Sequence, residues 1–99
     1  MIKSAKEIKR ITLASRVKDS VYYKVENYIR KAANKGNTSV VLSGEQLELM
    51  TSEMVDLLEF KGYAITYLCE DGYTRGSYVL IDSPVVQITI LWEVIDVYT

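Results

Sequence analysis

Few residues of this 99-residue chain have the types and spacing that chemistry requires. The sequence has no histidine, so a serine or cysteine nucleophile would lack its usual general base. A single cysteine, Cys69, excludes an intrachain disulfide and a thiolate metal cluster. Neither a GxGxxG nor a GxxxxGK[ST] loop is present to hold a phosphate. We therefore predict that the chain is not an enzyme and that it has no metal ion and no cofactor.

Two further features have structural explanations. Glu70 and Asp71 are adjacent carboxylates, but Gly72 follows them, which is typical of a solvated turn. A catalytic carboxyl would need burial to raise its pKa. Cys69 lies in an apolar, strand-like run, where we expect a small buried side chain rather than a reactive thiol.

Charge is distributed very unevenly along the sequence. Residues 1–36 contain ten lysines and arginines against three acids, a net charge of +7, whereas residues 37–99 contain two against ten, a net charge of −8. Such a split indicates either a basic surface that binds an acidic partner or two parts of one chain that attract each other. The sequence leaves both interpretations open.

Apolar and aromatic side chains are mixed with the cations on one predicted face of the basic third. Leu13, Val17, Tyr23 and Tyr28 lie off the main apolar stripe there, which favours a partner-binding surface over a solvated one. We predict that this face binds protein through ten residues: Lys6, Lys9, Arg10, Leu13, Val17, Tyr23, Lys24, Tyr28, Lys31 and Lys35. Nucleic-acid binding by the same face is the alternative, which the sequence pI of about 5.4 disfavours. No membrane partner is expected, since Leu13 and Val17 would anchor a helix too weakly.

A helix must position these residues. Ser4 and Glu7 have the spacing of a capping box, and apolar residues recur at helical intervals to about Asn34. The sequence thus predicts one long amphipathic helix that stops at Gly36, with a kink near residues 18–20. Its core-facing stripe would comprise Ile8, Ile11, Ala14, Val21, Tyr22, Val25, Ile29 and Ala32. A helix of about 45 Å would project beyond so small a body or pack against another chain.

The remaining residues predict an acidic β-α-β-β-β body. A strand over 38–42 precedes a second capping box at Ser43 and Gln46 and a helix that ends at Lys61, with Thr51-Ser52 as an alternative start. Alternating apolar residues then predict strands over 63–70, 77–81 and 85–94. A strand–helix–strand crossover is parallel and short turns join the last strands, so we expect a small mixed, mostly antiparallel sheet. The whole chain is predicted to be one two-layer α+β domain of order α-β-α-β-β-β.

Four segments of the chain resemble small proteins of tailed bacteriophages. They are residues 29–36 (Ile-Arg-Lys-Ala-Ala-Asn-Lys-Gly), 39–42 (Ser-Val-Val-Leu), 54–65 (Met-Val-Asp-Leu-Leu-Glu-Phe-Lys-Gly-Tyr-Ala-Ile) and 88–92 (Ile-Thr-Ile-Leu-Trp). In those proteins a charged helix ending in Ala-Ala-x-x-Gly precedes a strand, a helix ending in Gly-Tyr, and a closing strand that ends near Trp. The resemblance covers about residues 4–93.

This resemblance implies a phage-encoded α+β domain that is either a virion component or an inhibitor of a host system. The expected location is the cytoplasm of a bacterial host or the virion, which agrees with a first segment that lacks the apolar core of a secretory signal. The protein partner would be a host or virion protein or a second copy of this chain, because opposite charges can pair between copies. Residues 94–99 extend past the usual end as an edge strand or a contact of their own. The resemblance supplies no active-site residues.

Overall fold

Helices cover one side of a four-stranded sheet in the part of the chain that the computed structural model describes, residues 2–76 and 84–93. The helices are α1 (Ala5–Ser15), α2 (Asp19–Asn34), a 3-10 helix (Gly44–Leu49) and α3 (Ser52–Phe60). The strands are β1 (Ser39–Ser43), β2 (Ala64–Cys69), β3 (Thr74–Arg75) and β4 (Val85–Leu91). The predicted α+β class is confirmed. The predicted strand over 77–81 and the last residue of the final predicted strand, Val94, lie outside the described residues.

The basic third forms two helices, so the prediction of one long helix is wrong. α1 ends at Ser15 and α2 begins at Asp19. The break between them, residues 16–18, therefore lies slightly before the kink predicted near residues 18–20. The amides of Arg16 and Val17 close the last turn of α1, each with a hydrogen bond of 3.2 Å to a carbonyl of that turn. Lys18 then has extended backbone, with φ −63° and ψ 138°. The apolar spacing is weakest here, and the break allows α1 to pack against α3.

α1 packs through the side opposite to the predicted one. Leu13 and Val17 are buried in the core, with 8% and 6% of their surface exposed. Ile8 and Ile11, which were expected to face the core, are 49% and 42% exposed. Both pairs have helical spacing, and the turn at residues 16–18 decides which pair meets the body. Leu13 and Val17 therefore stabilise the fold, and their assignment to a partner-binding surface is wrong.

α2 ends where the sequence predicts. Gly36 has a φ of +85°, a left-handed conformation that glycine adopts without steric cost. This turn directs the amide of Asn37 back to the carbonyl of Ala32, at 3.0 Å. The chain leaves α2 at once and enters β1, which lies under the same helix.

The sheet has the strand order β1-β4-β2-β3, and every described pairing is antiparallel. β1 and β2 run parallel to each other, as a helical crossover predicts, because both are antiparallel to β4. β4 lies between them, so the described strands contain no parallel pair, whereas the sequence predicts a mixed, mostly antiparallel sheet. This insertion places β1 at one edge of the sheet.

The core lies between the sheet and the helices. Cross-strand pairing aligns Val40 with Ile90 and Leu42 with Ile88, and these apolar rows continue into β2. Leu57 of α3 is fully buried against them. Cys69 is also buried, with 1% of its surface exposed, as predicted. The opposite face of the sheet carries uncharged side chains from nine positions: Ser39, Val41, Ser43, Ala64, Thr66, Leu68, Gln87, Thr89 and Leu91.

The capping boxes explain where the later helices begin. The amide of Ser43 donates to Gln46 Oε1 at 3.2 Å, but the segment that follows is the 3-10 helix. α3 starts at the alternative position, where Thr51 Oγ1 accepts a hydrogen bond of 3.2 Å from the amide of Met54. Glu53 lies in the first turn of α3, and its pKa is lowered by hydrogen bonds that its carboxylate accepts from the Glu53 backbone amide and from the Ser52 hydroxyl.

Replacing Thr51 with alanine should destabilise the protein by about 1 kcal/mol, because the substitution removes the oxygen that caps α3. The free energy of unfolding in urea, followed by circular dichroism, measures the loss. Thr51→Ser is the matched control, since it keeps the hydroxyl. Equal losses in both variants would show that the hydroxyl does not stabilise the start of α3.

Candidate functional site

The ten residues predicted to contact a partner do not form one surface. Leu13 and Val17 are buried by the packing of α1, so they are not available to a partner. Lys6, Lys9 and Arg10 are exposed on α1. Of these three, Lys9 contacts the body, with its Nζ 5.5 Å from the centroid of the Phe60 ring. The remaining five residues lie on α2 or, for Lys35, at its C-terminal cap.

Four of those five residues form a stripe along α2. Lys24, Tyr28, Lys31 and Lys35 are spaced by four, three and four residues, which places them on one flank of a helix. The three lysines are exposed, whereas Tyr28 is half-buried and packs against the core. We refer to Lys24, Tyr28, Lys31 and Lys35 as the lysine–tyrosine stripe.

Tyr23, the fifth residue, lies off this stripe. It is 65% exposed, and one residue of rotation along a helix turns its side chain away from that of Lys24 by about 100°. Its ring packs edge-on against Tyr22, with 5.6 Å between the ring centroids and an interplanar angle of 86°. The predicted site is therefore divided among α1, the stripe and Tyr23.

Ion pairs do not join the basic third to the acidic body within residues 2–76 and 84–93. The ion pair that the structure describes there connects Arg30 with Glu26, one helical turn apart within α2. Cation–aromatic contacts instead link the two parts. Lys61 Nζ donates a 3.1 Å hydrogen bond to the Tyr22 hydroxyl and lies 5.2 Å from the centre of its ring. The lysines of the stripe thus keep their charge available to a partner.

Two open grooves are each lined by three residues of the stripe. The first, of about 440 Å³, separates Lys24, Tyr28 and Lys31 from the 3-10 helix, where Glu45 and Glu48 form the opposite wall. These carboxylates offset the lysine charge at that end without forming ion pairs among the described residues.

The second groove lies between α2 and the edge of the sheet, and we call it the strand-edge groove. Its volume is about 670 Å³, and its helix wall contains Tyr28, Lys31 and Lys35. Its other wall is formed by residues 36–41, which include the start of β1. The described lining holds two cations and no acid, which distinguishes it from the first groove. Sequence reasoning missed the β1 wall, because only the insertion of β4 makes β1 an edge strand.

Catalytic geometry is not found in the part of the chain that the structure describes. Among the side chains that the structure describes, no charged residue and no serine, threonine, asparagine or glutamine is buried, and no three acids or cysteines lie close enough to hold a metal ion. No described helix has the length and apolar character needed to cross a membrane. Searches against protein-family models, curated proteins and solved structures find no match for this chain.

Proposed function

We propose that this chain is a non-catalytic protein that binds another protein through the lysine–tyrosine stripe of α2. The observation that carries the proposal is the stripe itself: three exposed lysines, none of them ion-paired within the described residues, flank an aromatic side chain beside an open groove. A tyrosine contributes apolar contact, while the lysines set orientation and the rate of encounter.

The resemblance to tailed-phage proteins supports a more specific version of this proposal. In that version the chain is a small virion or assembly component, or an inhibitor of a host system, in the bacterial cytoplasm or the virion. Its partner is a host protein, a virion protein or a second copy in a homo-oligomer. Charge favours an acidic partner surface, because the stripe is cationic and its lysines stay solvated.

Reversing the three charges of the stripe, Lys24→Glu with Lys31→Glu and Lys35→Glu, should weaken partner binding at least tenfold. Each exposed charge pair contributes up to about 1 kcal/mol, and three pairs together account for that factor. The matched control reverses Lys3, Lys6 and Arg10, which changes the net charge equally but at α1. Quantitative mass spectrometry of proteins retained from a bacterial lysate, on the immobilised wild type and both variants, gives the comparison.

The proposal requires a set of proteins that the wild type and the α1 control retain and that the stripe variant loses. Retention by all three proteins, or loss in the control alone, would contradict it. Nuclease treatment and a salt titration separate the nucleic-acid alternative, because binding to phosphates falls steeply and log-linearly with salt. Sedimentation at two salt concentrations identifies a second copy as the partner if the stripe variant alone becomes monomeric.

A further inference from the structure

One edge of β1 has backbone groups that no described strand uses. The amide of Trp92 donates to the carbonyl of Thr38 at 3.2 Å. In an antiparallel pair, hydrogen-bonded and non-hydrogen-bonded positions alternate, so the even-numbered residues of β1 exchange bonds with β4. The amides and carbonyls of Ser39 and Val41 therefore point away from β4, into the side where the strand-edge groove lies. These groups can accept a further strand.

The residues that line the strand-edge groove favour an acidic strand over a basic one. Lys31 and Lys35 stand on the α2 side, and no acid lines the groove among the described residues. A basic occupant would face uncompensated repulsion, whereas an acidic occupant would place its carboxylates beside these two lysines. Tyr28 and Ala32 provide apolar contact on the same wall.

Alternation along the incoming strand follows from sheet geometry. Successive side chains of a strand point to opposite faces, so every second side chain would face α2 and the others would face the open side of the sheet. On that open side the nearest described side chain of β1 is Val41, which is 49% exposed. Acidic residues suit the positions under α2, and apolar residues suit the positions beside Val41.

We propose that the partner contributes an extended segment, with acidic and apolar residues in alternation, that adds as a strand to the edge of β1 that no described strand pairs with. Its backbone bonds to Ser39 and Val41, and its carboxylates lie beside Lys31 and Lys35. Strand addition of this kind draws affinity from the main chain and specificity from alternate side chains. The inference rests on the proposed function and defines the binding mode and the chemistry of the partner.

A blocked peptide of sequence Val-Glu-Val-Glu-Val-Glu-Val is a suitable probe, and Val-Lys-Val-Lys-Val-Lys-Val is its matched control. Titration into the isotope-labelled full chain, followed by amide resonances and hydrogen exchange, reports which backbone groups engage. We expect the acidic peptide to slow exchange of the Ser39 and Val41 amides at least tenfold. The double variant Lys31→Glu with Lys35→Glu should weaken peptide binding at least fivefold, whereas Lys3→Glu with Lys6→Glu should leave it unchanged.

Several results would overturn the inference. Equal affinity for the lysine peptide would remove the charge argument, and so would the absence of binding at millimolar peptide. Peptide-induced shifts at Lys31 and Lys35 without protection of Ser39 and Val41 would exclude strand addition, while the proposed function of the stripe would stand. Concentration-dependent protection of Ser39 and Val41 without peptide would assign the edge to a second copy of this chain.

Discussion

Glutamate at both Leu13 and Val17 should remove at least about 4 kcal/mol from the free energy of unfolding, a large part of the 5–15 kcal/mol typical of a small domain. Each side chain is more than nine-tenths buried, and both belong to the apolar core that α1 shares with α3. Two charges there would be desolvated without partners, so α1 would detach or the chain would unfold. Urea denaturation followed by circular dichroism, together with the loss of helical signal, measures the effect.

The matched control places glutamate at Ile8 and Ile11, which lie on the opposite and exposed side of the same helix. The charge change is identical, and Ile8, Ile11 and Leu13 share one helix, so the difference between the variants reports chiefly the burial of Leu13 and Val17. The control should retain its stability to within about 1 kcal/mol. A control that unfolds while the Leu13/Val17 variant stays folded would show that α1 packs through its isoleucine side.

Replacing Leu57 with alanine should destabilise the protein by about 2–5 kcal/mol, the range for a fully buried leucine whose removal leaves a cavity. Leu57 is completely inaccessible on α3, within the core that the helices form with the sheet. Alanine keeps the helix propensity of the site, so the loss isolates packing. Equilibrium unfolding in urea gives the free energy, and an unchanged slope with denaturant confirms that the folded state is retained.

Ile11→Ala is the control for Leu57→Ala, because it shortens an aliphatic side chain on a helix at a position that is 42% exposed. We expect its effect to stay below about 1 kcal/mol. Similar losses at both positions would mean that Leu57 is no better packed than a surface residue. That result would contradict the placement of the core between α3 and the sheet.

The sequence correctly predicts the helix ends and the strand face that depend only on residues close together in the chain. The Ser4 hydroxyl caps α1 by accepting from the amide of Glu7 at 3.2 Å, and Gly36 ends α2. Alternation along β2 also places Ile65 and Tyr67 in the core, as expected for a half-buried strand. These features need no knowledge of the rest of the chain.

Long-range contacts decide the features that the sequence analysis left open or predicted wrongly. α1 and the turn that follows it carry two apolar pairs on opposite sides, Ile8 with Ile11 and Leu13 with Val17, and periodicity alone does not choose between them. The choice depends on the break at residues 16–18 and on docking to α3. The prediction of a single helix placed all ten candidate residues on one face. In the structure the four residues of the lysine–tyrosine stripe remain together on one side of a helix.

The neighbours of β1 were also beyond local reasoning. A crossover predicts the direction of β1 relative to β2, and the structure agrees on that direction. The insertion of β4 between them depends on pairing between segments far apart in the chain. The cationic half of the strand-edge groove could therefore be predicted from residue spacing, and the backbone half could not.

The bond from Ser43 to Gln46 Oε1 has a consequence for strand addition at β1. Ser43 is the third residue of β1 whose amide points outward, and that amide is already occupied. An added strand consequently finds unused outward backbone groups at Ser39 and Val41 but not at the Ser43 amide, so its pairing with β1 is limited to a short register. The Gln46 side chain that caps the start of the 3-10 helix thus also sets the length of β1 that a further strand can pair with.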